Sequence, residues 1–344
     1  MIQKLRNSVS FGHIFSVGRI YQSGCRSSLG MRELVEGCYF VDTSGDVYAV
    51  KGLVHPLGRV YAFPRQIGGV KVKHYLEGFK LVAEKNPIYV FDDPYLGRTV
   101  IAVPRNSIKQ VIFPAKTAKG PEKLVETAHL LARVLDEMGI DFGFTGSLLL
   151  GTADEKSDID IVVYGGKKQY RAVKQLREQG VLQPVNPEVI NLLAESRTDT
   201  PKAFPAIETE QRKILTGTYA GHLYTMKIIP KTFWETWSET RITPERYFET
   251  VVEIVDDSEV FYTPARYGVK NIGEGPEIAE VVSFRSRFAE MGFRGEKLLI
   301  GGMLEKVVKR GRLYHRINVG IGVDDYILPV KNDDSQQSIR LSRP

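Results

Sequence analysis

The chain has 344 residues, of which 42% are hydrophobic and 26% are charged, enough for two or three domains with separate cores. No apolar run reaches the roughly 18 to 20 residues that cross a bilayer, so we expect a soluble, cytoplasmic protein without a membrane partner. Cys25 and Cys38 fit neither a metal site nor a disulfide framework. The net charge of +6 comes entirely from the first third of the chain, which weakens the electrostatic case for nucleic acid.

Residues 1–30 contain no acidic residue and little periodic hydrophobicity. They resemble a transit peptide in composition, although a disordered or wrongly assigned extension before Met31 is the favoured interpretation. Residues 31–115 predict a β-rich domain, because the segments "CYFVDTSGDVYAVKGLV", "RVYAFPRQIGGVKVKHY" and "IYVFDDPYLGRTVIAVP" each alternate around a turn. A short helix is expected over "EGFKLVAEK".

Residues 120–232 predict a mixed domain that begins with an amphipathic helix, "PEKLVETAHLLARVLDEMG". A strand, "DFGFT", then runs into a Gly-Ser pair, and a second strand, "SDIDIVVY", contains two aspartates. Helical segments follow up to about residue 216, and "GTYAGHLYTMKIIP" predicts a strand pair around Ala220-Gly221.

Asp158 and Asp160 are the first candidate site residues. Residues i and i+2 of a strand share one face, so both carboxylates lie together while Ile159 and Ile161 face the core. Two such charges repel each other unless a cation lies between them. Hard oxygen ligands favour Mg²⁺ or Mn²⁺, the ions that support in-line displacement at phosphorus.

Gly146 and Ser147 are the second candidate pair. The glycine allows a phosphate to approach the backbone, and the serine offers a hydroxyl and an amide at a strand-to-helix turn. The two halves are therefore complementary, since one suits a nucleotide phosphate and the other suits the metal ion that bridges phosphates.

The order helix, strand, Gly-Ser, about ten residues, and Asp-x-Asp within an apolar strand resembles the DNA polymerase beta nucleotidyltransferase superfamily. More widely, "VKGLVHPLGRV", the central motif and the strand-rich end resemble an archaeal family of predicted nucleotidyltransferases without an assigned substrate. The resemblance implies an α+β fold, a nucleoside triphosphate substrate, phosphate binding by Gly146 and Ser147, and metal binding by Asp158 and Asp160.

The sequence departs from that pattern at the third carboxylate, which active members usually carry on a later strand. The matching segment here, residues 222–230, contains no acidic residue. Glu208 and Glu210 precede it and are candidate substitutes, or simply part of a solvated helical face. Arg212 and Lys213 are candidate triphosphate ligands, or plain surface cations.

Residues 245–331 predict a second β-rich domain with a barrel-like architecture, for which the OB-fold is one candidate, before a disordered tail at 332–344. If RNA is a partner, two clusters are candidates for binding it: Lys51 and Arg59 near the front, with Arg65, and the hairpin residues Arg310, Arg312, Tyr314 and Arg316. His55 lies in the front cluster, where a structural role is the simpler interpretation.

Two functions remain open from the sequence. The leading hypothesis is a metal-dependent nucleotidyltransferase with an unidentified hydroxyl acceptor in RNA, a protein or a small molecule. The alternative is a nucleotide- or RNA-binding protein that lacks turnover because the third carboxylate is gone. The sequence does not fix the preferred base or the oligomeric state.

Overall fold

The computed structural model describes residues 33–72, 74–196, 207–232 and 235–330. The extension predicted for residues 1–30 and the tail predicted for 332–344 lie outside these ranges. Within them the chain is α+β, as predicted, with three sheets of seven, four and six strands that follow one another along the chain.

The first sheet contains the predicted hairpins and is ordered β5-β6-β3-β2-β1-β7, with β4 paired to β3. Gly68 and Gly69 both have positive φ and turn the chain between β3 and β4, as the Gly-Gly pair predicts. Helix α1 covers the predicted helical segment. The elements are β1 Tyr39–Asp42, β2 Val47–Val50, β3 Arg59–Ile67, β4 Val70–Lys71, α1 Tyr75–Lys85, β5 Val90–Asp93, β6 Arg98–Pro104 and β7 Ile108–Ile112.

The second sheet is ordered β10-β11-β9-β8, with β9 and β11 parallel and the outer pairs antiparallel. Helix α2 packs Leu124, Leu131 and Leu135 into its core, at the spacing that the sequence predicts. The elements are α2 Glu122–Glu137, β8 Phe142–Phe144, α3 Gly146–Leu150, β9 Ile159–Tyr164, α4 Lys167–Glu178, α5 Pro187–Ser196, α6 Ile207–Arg212, β10 Thr216–Tyr219 and β11 His222–Ile229.

The third sheet begins with β12, which starts at Thr240 and is twenty residues long, so it begins before the predicted start near Tyr247. Five strands close a circuit in the order β12-β13-β14-β16-β15 and back to β12, and β14 and β16 are the parallel pair. The strands are β12 Thr240–Glu259, β13 Ala265–Asn271, β14 Glu280–Ser283, β15 Lys297–Lys309, β16 Arg312–Asn318 and β17 Tyr326–Val330.

Buried polar contacts join the sheets. The Thr145 hydroxyl donates to the Gly37 carbonyl oxygen over 2.7 Å, which ties the second sheet to the segment before β1. Glu290 accepts the amides of Ile214 and Leu215 over 3.1 and 3.0 Å, which ties the second sheet to the third. These bonds fix how the second sheet lies against its neighbours.

None of the helices that the structure describes is long and apolar enough to cross a membrane.

Candidate active site

Asp160 lies in β9, between two strands that define its surroundings. Its main-chain carbonyl accepts the Thr145 amide over 2.9 Å, which brings the end of β8 alongside. On the other side, the parallel register pairs Asp160 with Thr225 of β11. Asp158 directly precedes β9, one residue from the buried Ile159. The two aspartates therefore lie at the end of the sheet where β9 begins, which we call the mouth of the sheet, and they share one face as the alternation predicts.

Gly146 lies against the carboxylate of Asp160. Its φ of +62° is in the left-handed region, and a Cβ built on it would overlap the Asp160 carboxyl group. Any other residue would be strained and would displace the aspartate. The Gly-Ser turn and the Asp-x-Asp segment are therefore two walls of one site, and the packing against the aspartate requires glycine at position 146.

The positive side chains around Asp160 do not fully compensate its negative charge. Burial is the main cause that raises its pKa, and the neighbouring Asp158 adds to it, while Lys227, Arg65 and Lys51 oppose the rise; the pKa reaches about 7. An aspartate of this kind gains from any cation that binds next to it. The environment thus supports the predicted cation site.

The third carboxylate is missing from β11. The β11 residues on the face of Asp160 are Leu223, Thr225 and Lys227, because partners in a parallel pair point the same way. Among the described residues, no group of three or more His, Cys, Asp or Glu side chains is arranged to hold a metal ion. The departure noted in the sequence is therefore present in the fold.

Glu36, which the sequence did not single out, lies next to this site. It is buried, and its carboxylate contacts Lys227 over 3.3 Å, Lys51 over 3.1 Å and the Gly52 amide over 3.1 Å. Burial alone would raise the pKa of Glu36, but the two lysines and the amide hold it below its ordinary value. Glu36 is thus an ionised partner for Lys227, and it reaches the site from outside the nucleotidyltransferase-like segment.

The first sheet forms one side of the site. Tyr39 and Ala49 are partners in the β1–β2 ladder and pack against Leu149 of α3, three residues after Gly146. A Cβ on Gly37 would overlap Val162 of β9. These contacts could not be predicted from local patterns in the sequence, because they join residues a hundred or more positions apart.

Arg212 and Lys213, predicted to bind the triphosphate, have other partners. Arg212 forms an ion pair with Glu296 over 2.8 Å and donates to the Met291 carbonyl. Lys213 is 2% exposed, and its ammonium contacts Glu210 over 2.7 Å and the Arg287 carbonyl over 2.7 Å. Phosphate binding by Lys213 stays a prediction, which its burial and pairing disfavour, and Arg212 joins the second sheet to the third. Glu210 is buried and paired with Lys213, so it does not belong to a solvated helical face.

Most cations of the two predicted RNA clusters are also engaged. Lys51 pairs with Glu36, and Arg59 donates to the carbonyls of Ile88 and Ala102 over 2.9 and 2.8 Å. Arg310 pairs with Glu239 over 2.9 Å. Arg316 is buried, and its guanidinium lies 2.7 Å from Glu305, an arrangement that disfavours the predicted contact with RNA. Arg312 is exposed and Tyr314 is partly buried, so both remain predictions.

His55 has the structural role that the sequence favoured. Its Nε2 lies 2.6 Å from the Leu34 carbonyl, and its Nδ1 accepts the Tyr61 amide over 3.2 Å. Both ring nitrogens are therefore used inside the first sheet, and neither faces a ligand.

The donor set fits one divalent cation. Asp158 and Asp160 offer hard oxygen ligands, Gly146 leaves the Asp160 carboxylate room, and the raised pKa of Asp160 marks a local deficit of positive charge. A second metal ion would need a third carboxylate beside the two aspartates, and no such group of three acidic side chains is found among the residues that the structure describes.

Comparisons with known proteins agree with this geometry. Residues 130–215 match the family model of the nucleotidyltransferase domain, a span that contains the Gly-Ser turn and both aspartates. A protein of Methanocaldococcus jannaschii described as uncharacterized is 27% identical over 322 residues, covering 82% of this chain and 94% of the relative. No solved structure matches the chain. Residues 130–215 are therefore similar to the nucleotidyltransferase domain family, as the resemblance in the sequence implies, and the chain is similar over most of its length to an archaeal protein described as uncharacterized.

Proposed function

We propose that this protein is a metal-dependent nucleotidyltransferase that moves a nucleoside monophosphate from a nucleoside triphosphate to a hydroxyl group. The observation that carries the proposal is the packing of Gly146 against the carboxylate of Asp160. Asp158 lies at the same end of the sheet, because it directly precedes β9. That packing puts the backbone of the Gly-Ser turn beside carboxylates of the kind that Mg²⁺ or Mn²⁺ prefers, which supports the proposal.

Each residue has a separate role in this proposal. The amides at Gly146 and Ser147 and the Ser147 hydroxyl hold the β- and γ-phosphates. Asp158 and Asp160 hold the divalent cation, which neutralises charge on the phosphate oxygens when bound. Thr145 and Gly37 set the distance between the turn and the first sheet.

The transfer balances without a cofactor other than the cation. An oxygen of the acceptor bonds to the α-phosphorus, the bond from that phosphorus to the bridging oxygen breaks, and pyrophosphate leaves with the electron pair. The hydroxyl proton passes to solvent in this scheme. Lys227 does not accept it: burial would lower the pKa of Lys227, but Glu36 and Asp160 together raise it above its ordinary value, so the amine stays protonated.

A second candidate function is nucleotide binding without turnover. The specific observation that favours it is the face of β11, where Thr225 and Lys227 stand and no acidic side chain does. Without a third carboxylate the acceptor hydroxyl has no protein base beside it. Both candidates share the nucleotide site and differ only in whether pyrophosphate is released.

One experiment separates them. The purified chain is incubated with each α-labelled nucleoside triphosphate and Mg²⁺ or Mn²⁺, with total RNA, with hydroxyl-bearing small molecules, or alone. Label on an acceptor together with released pyrophosphate supports the transferase. Saturable binding of the triphosphate without pyrophosphate supports the binding protein, and no metal-dependent binding at all rejects both. Asp160→Asn is the matched inactive control.

We also infer that residues 240–318 form an OB-like barrel, because five strands close a circuit that includes one parallel pair. Nucleic acid on such a barrel would need accessible cations and stacking side chains. Arg312 and Tyr314 are what remains of the predicted cluster. An acceptor other than RNA therefore gains weight in this proposal.

A further inference from the structure

We infer that this site binds a single divalent cation, and that the ammonium of Lys227 provides the fixed positive charge that a second cation would otherwise supply. The inference rests on the proposed function, since it takes Asp158 and Asp160 as the ligands. Three features of the structure lead to it: the register of β11, the partners of Glu36, and the balance of charge around the aspartates.

The register of β11 decides which side chains can reach the cation. Thr225 is the partner of Asp160, and Lys227 follows two residues later, opposite Val162. Residues two apart on a strand share a face and lie roughly 6 to 7 Å apart. Lys227 thus stands on the aspartate face, two residues beyond Thr225, the partner of Asp160.

Glu36 holds Lys227 in that place. The ammonium of Lys227 lies 3.3 Å from a Glu36 oxygen, and its side chain is 21% exposed. Glu36 is itself fixed, because it is buried and accepts the Gly52 amide. The lysine is therefore anchored from the first sheet and is not a free surface cation.

The charge count around Glu36 leaves an excess. Lys51 contacts the same carboxylate oxygen over 3.1 Å, so two ammonium groups share one carboxylate. Lys51 alone would neutralise Glu36, which means that Lys227 is not needed for that purpose. The surplus positive charge acts on Asp160, with which Lys227, Arg65 and Lys51 all interact, and of these three Lys227 lies in the strand that pairs with β9.

The test measures Mn²⁺ binding to the nucleotide-free protein by the electron paramagnetic resonance of the free ion. We expect one Mn²⁺ per chain. Lys227→Gln and Lys227→Met remove a positive charge near the ion, so each should tighten Mn²⁺ binding by about tenfold. A purely structural lysine would change stability and leave Mn²⁺ affinity as it is.

Three control variants make the result specific. Lys227→Arg keeps the charge and should bind Mn²⁺ like the parent. Lys231→Met removes a lysine six residues beyond Thr225, roughly 20 Å away along the strand direction, where it pairs with Asp141 over 2.8 Å; it should also leave Mn²⁺ affinity unchanged. In Lys227→Gln the new amide can still donate to Glu36, and Lys51 still neutralises the Glu36 carboxylate. This variant therefore keeps the experiment decisive if Lys227→Met fails to fold. Asp160→Asn reports whether the aspartates bind the ion.

The outcomes are distinct. One tightly held ion with tighter binding in the two neutral variants supports the inference. Two ions in the parent, or unchanged affinity in both neutral variants while Asp160→Asn abolishes binding, overturns the inference and leaves the proposed function intact. Mn²⁺ binding that is absent, or equal in the parent and Asp160→Asn, rejects the ligand assignment and the proposed function together.

Discussion

The mouth of the second sheet and the interior of the third sheet both contain charged side chains, but their charges are balanced differently. In the third sheet Glu305 is fully buried and is surrounded by Arg316 at 2.7 Å, by the Asn318 amide at 3.1 Å and by Arg98 from the first sheet. At the mouth of the second sheet, Asp158 and Asp160 lie side by side, and Lys227 is shared with Glu36.

The difference separates structural charge from functional charge. A buried carboxylate with a complete set of donors stabilises one arrangement of the fold, and its oxygens are not available to bind a ligand. A pair of like charges without a full set of partners costs stability and is relieved when a cation binds. Partner sets, rather than residue types, therefore distinguish the two regions.

The largest expected effect is on Glu305. Glu305→Ala leaves Arg316 buried without its main partner and removes the contact with Arg98, so we expect the free energy of unfolding to fall by about 3 to 5 kcal/mol. Chemical denaturation measures this. Glu277→Ala, at an exposed position near β14, is the control and should change the value by less than about 0.5 kcal/mol. A loss at Glu305 no larger than in this control would show that the cluster is not structural.

His55 extends the comparison to pH. Burial lowers the pKa of its imidazole from 6.5 to about 4, and its Nδ1 must stay unprotonated to accept the Tyr61 amide. The unfolded chain therefore binds this proton first as pH falls. The stability that His55 contributes is complete above pH 6.5 and is lost between pH 6.5 and 4, by about 3 kcal/mol at most.

The measurement is the free energy of unfolding at several pH values between 7 and 4, for the parent and for His55→Gln. Glutamine does not titrate, so the variant should lose less stability over this range than the parent. Parallel pH profiles would mean that His55 does not contribute in this way.

The aspartates should behave in the opposite manner to Glu305. Asp158→Asn or Asp160→Asn removes one of two crowded carboxylates, so the free energy of unfolding should stay the same or rise by about 1 kcal/mol. Metal-dependent nucleotide binding should be lost in the same variants. Calorimetric titration with Mg²⁺ and a non-hydrolysable triphosphate measures the binding, and retention of parental affinity in both variants would refute the site.

The smallest effect concerns RNA. Because Arg316 is buried and Arg310 is paired with Glu239, Arg312 is the one exposed arginine of the predicted hairpin cluster without a partner found in the described part of the chain. If RNA binds there, Arg312→Gln should flatten the dependence of log affinity on log salt by about 0.7, with stability unchanged. A salt slope identical to that of the parent excludes this hairpin as the RNA site.

Much of the site could be predicted from local sequence. Asp158 and Asp160 share a face because strands alternate, and Gly146 and Ser147 follow β8 directly, so their chemistry could be inferred from a stretch of fewer than twenty residues. The missing acidic residue on β11 could also be predicted, since the segment is short and contains none.

The partners of these residues could not be predicted in the same way. Glu36 and Lys227 are 191 positions apart, and Arg98 and Glu305 are 207 apart. Arg316 and Lys213 look like surface cations in the sequence, because nothing nearby in the chain reveals that each will be buried against a carboxylate. Their burial could not be inferred from the sequence for this reason.

The sequence by itself determined the strands, the principal helices and the motif that carries the site, because each depends on spacing over a few residues and on side-chain alternation. The tertiary structure decided which charged side chains are paired with others inside the fold and which are left with an incomplete set of partners. It placed Glu36 beside Lys227, Gly146 against Asp160 and Arg316 against Glu305. The physical reason is that the energy of a charge depends on the partners and water around it, and those are set only when distant segments pack together.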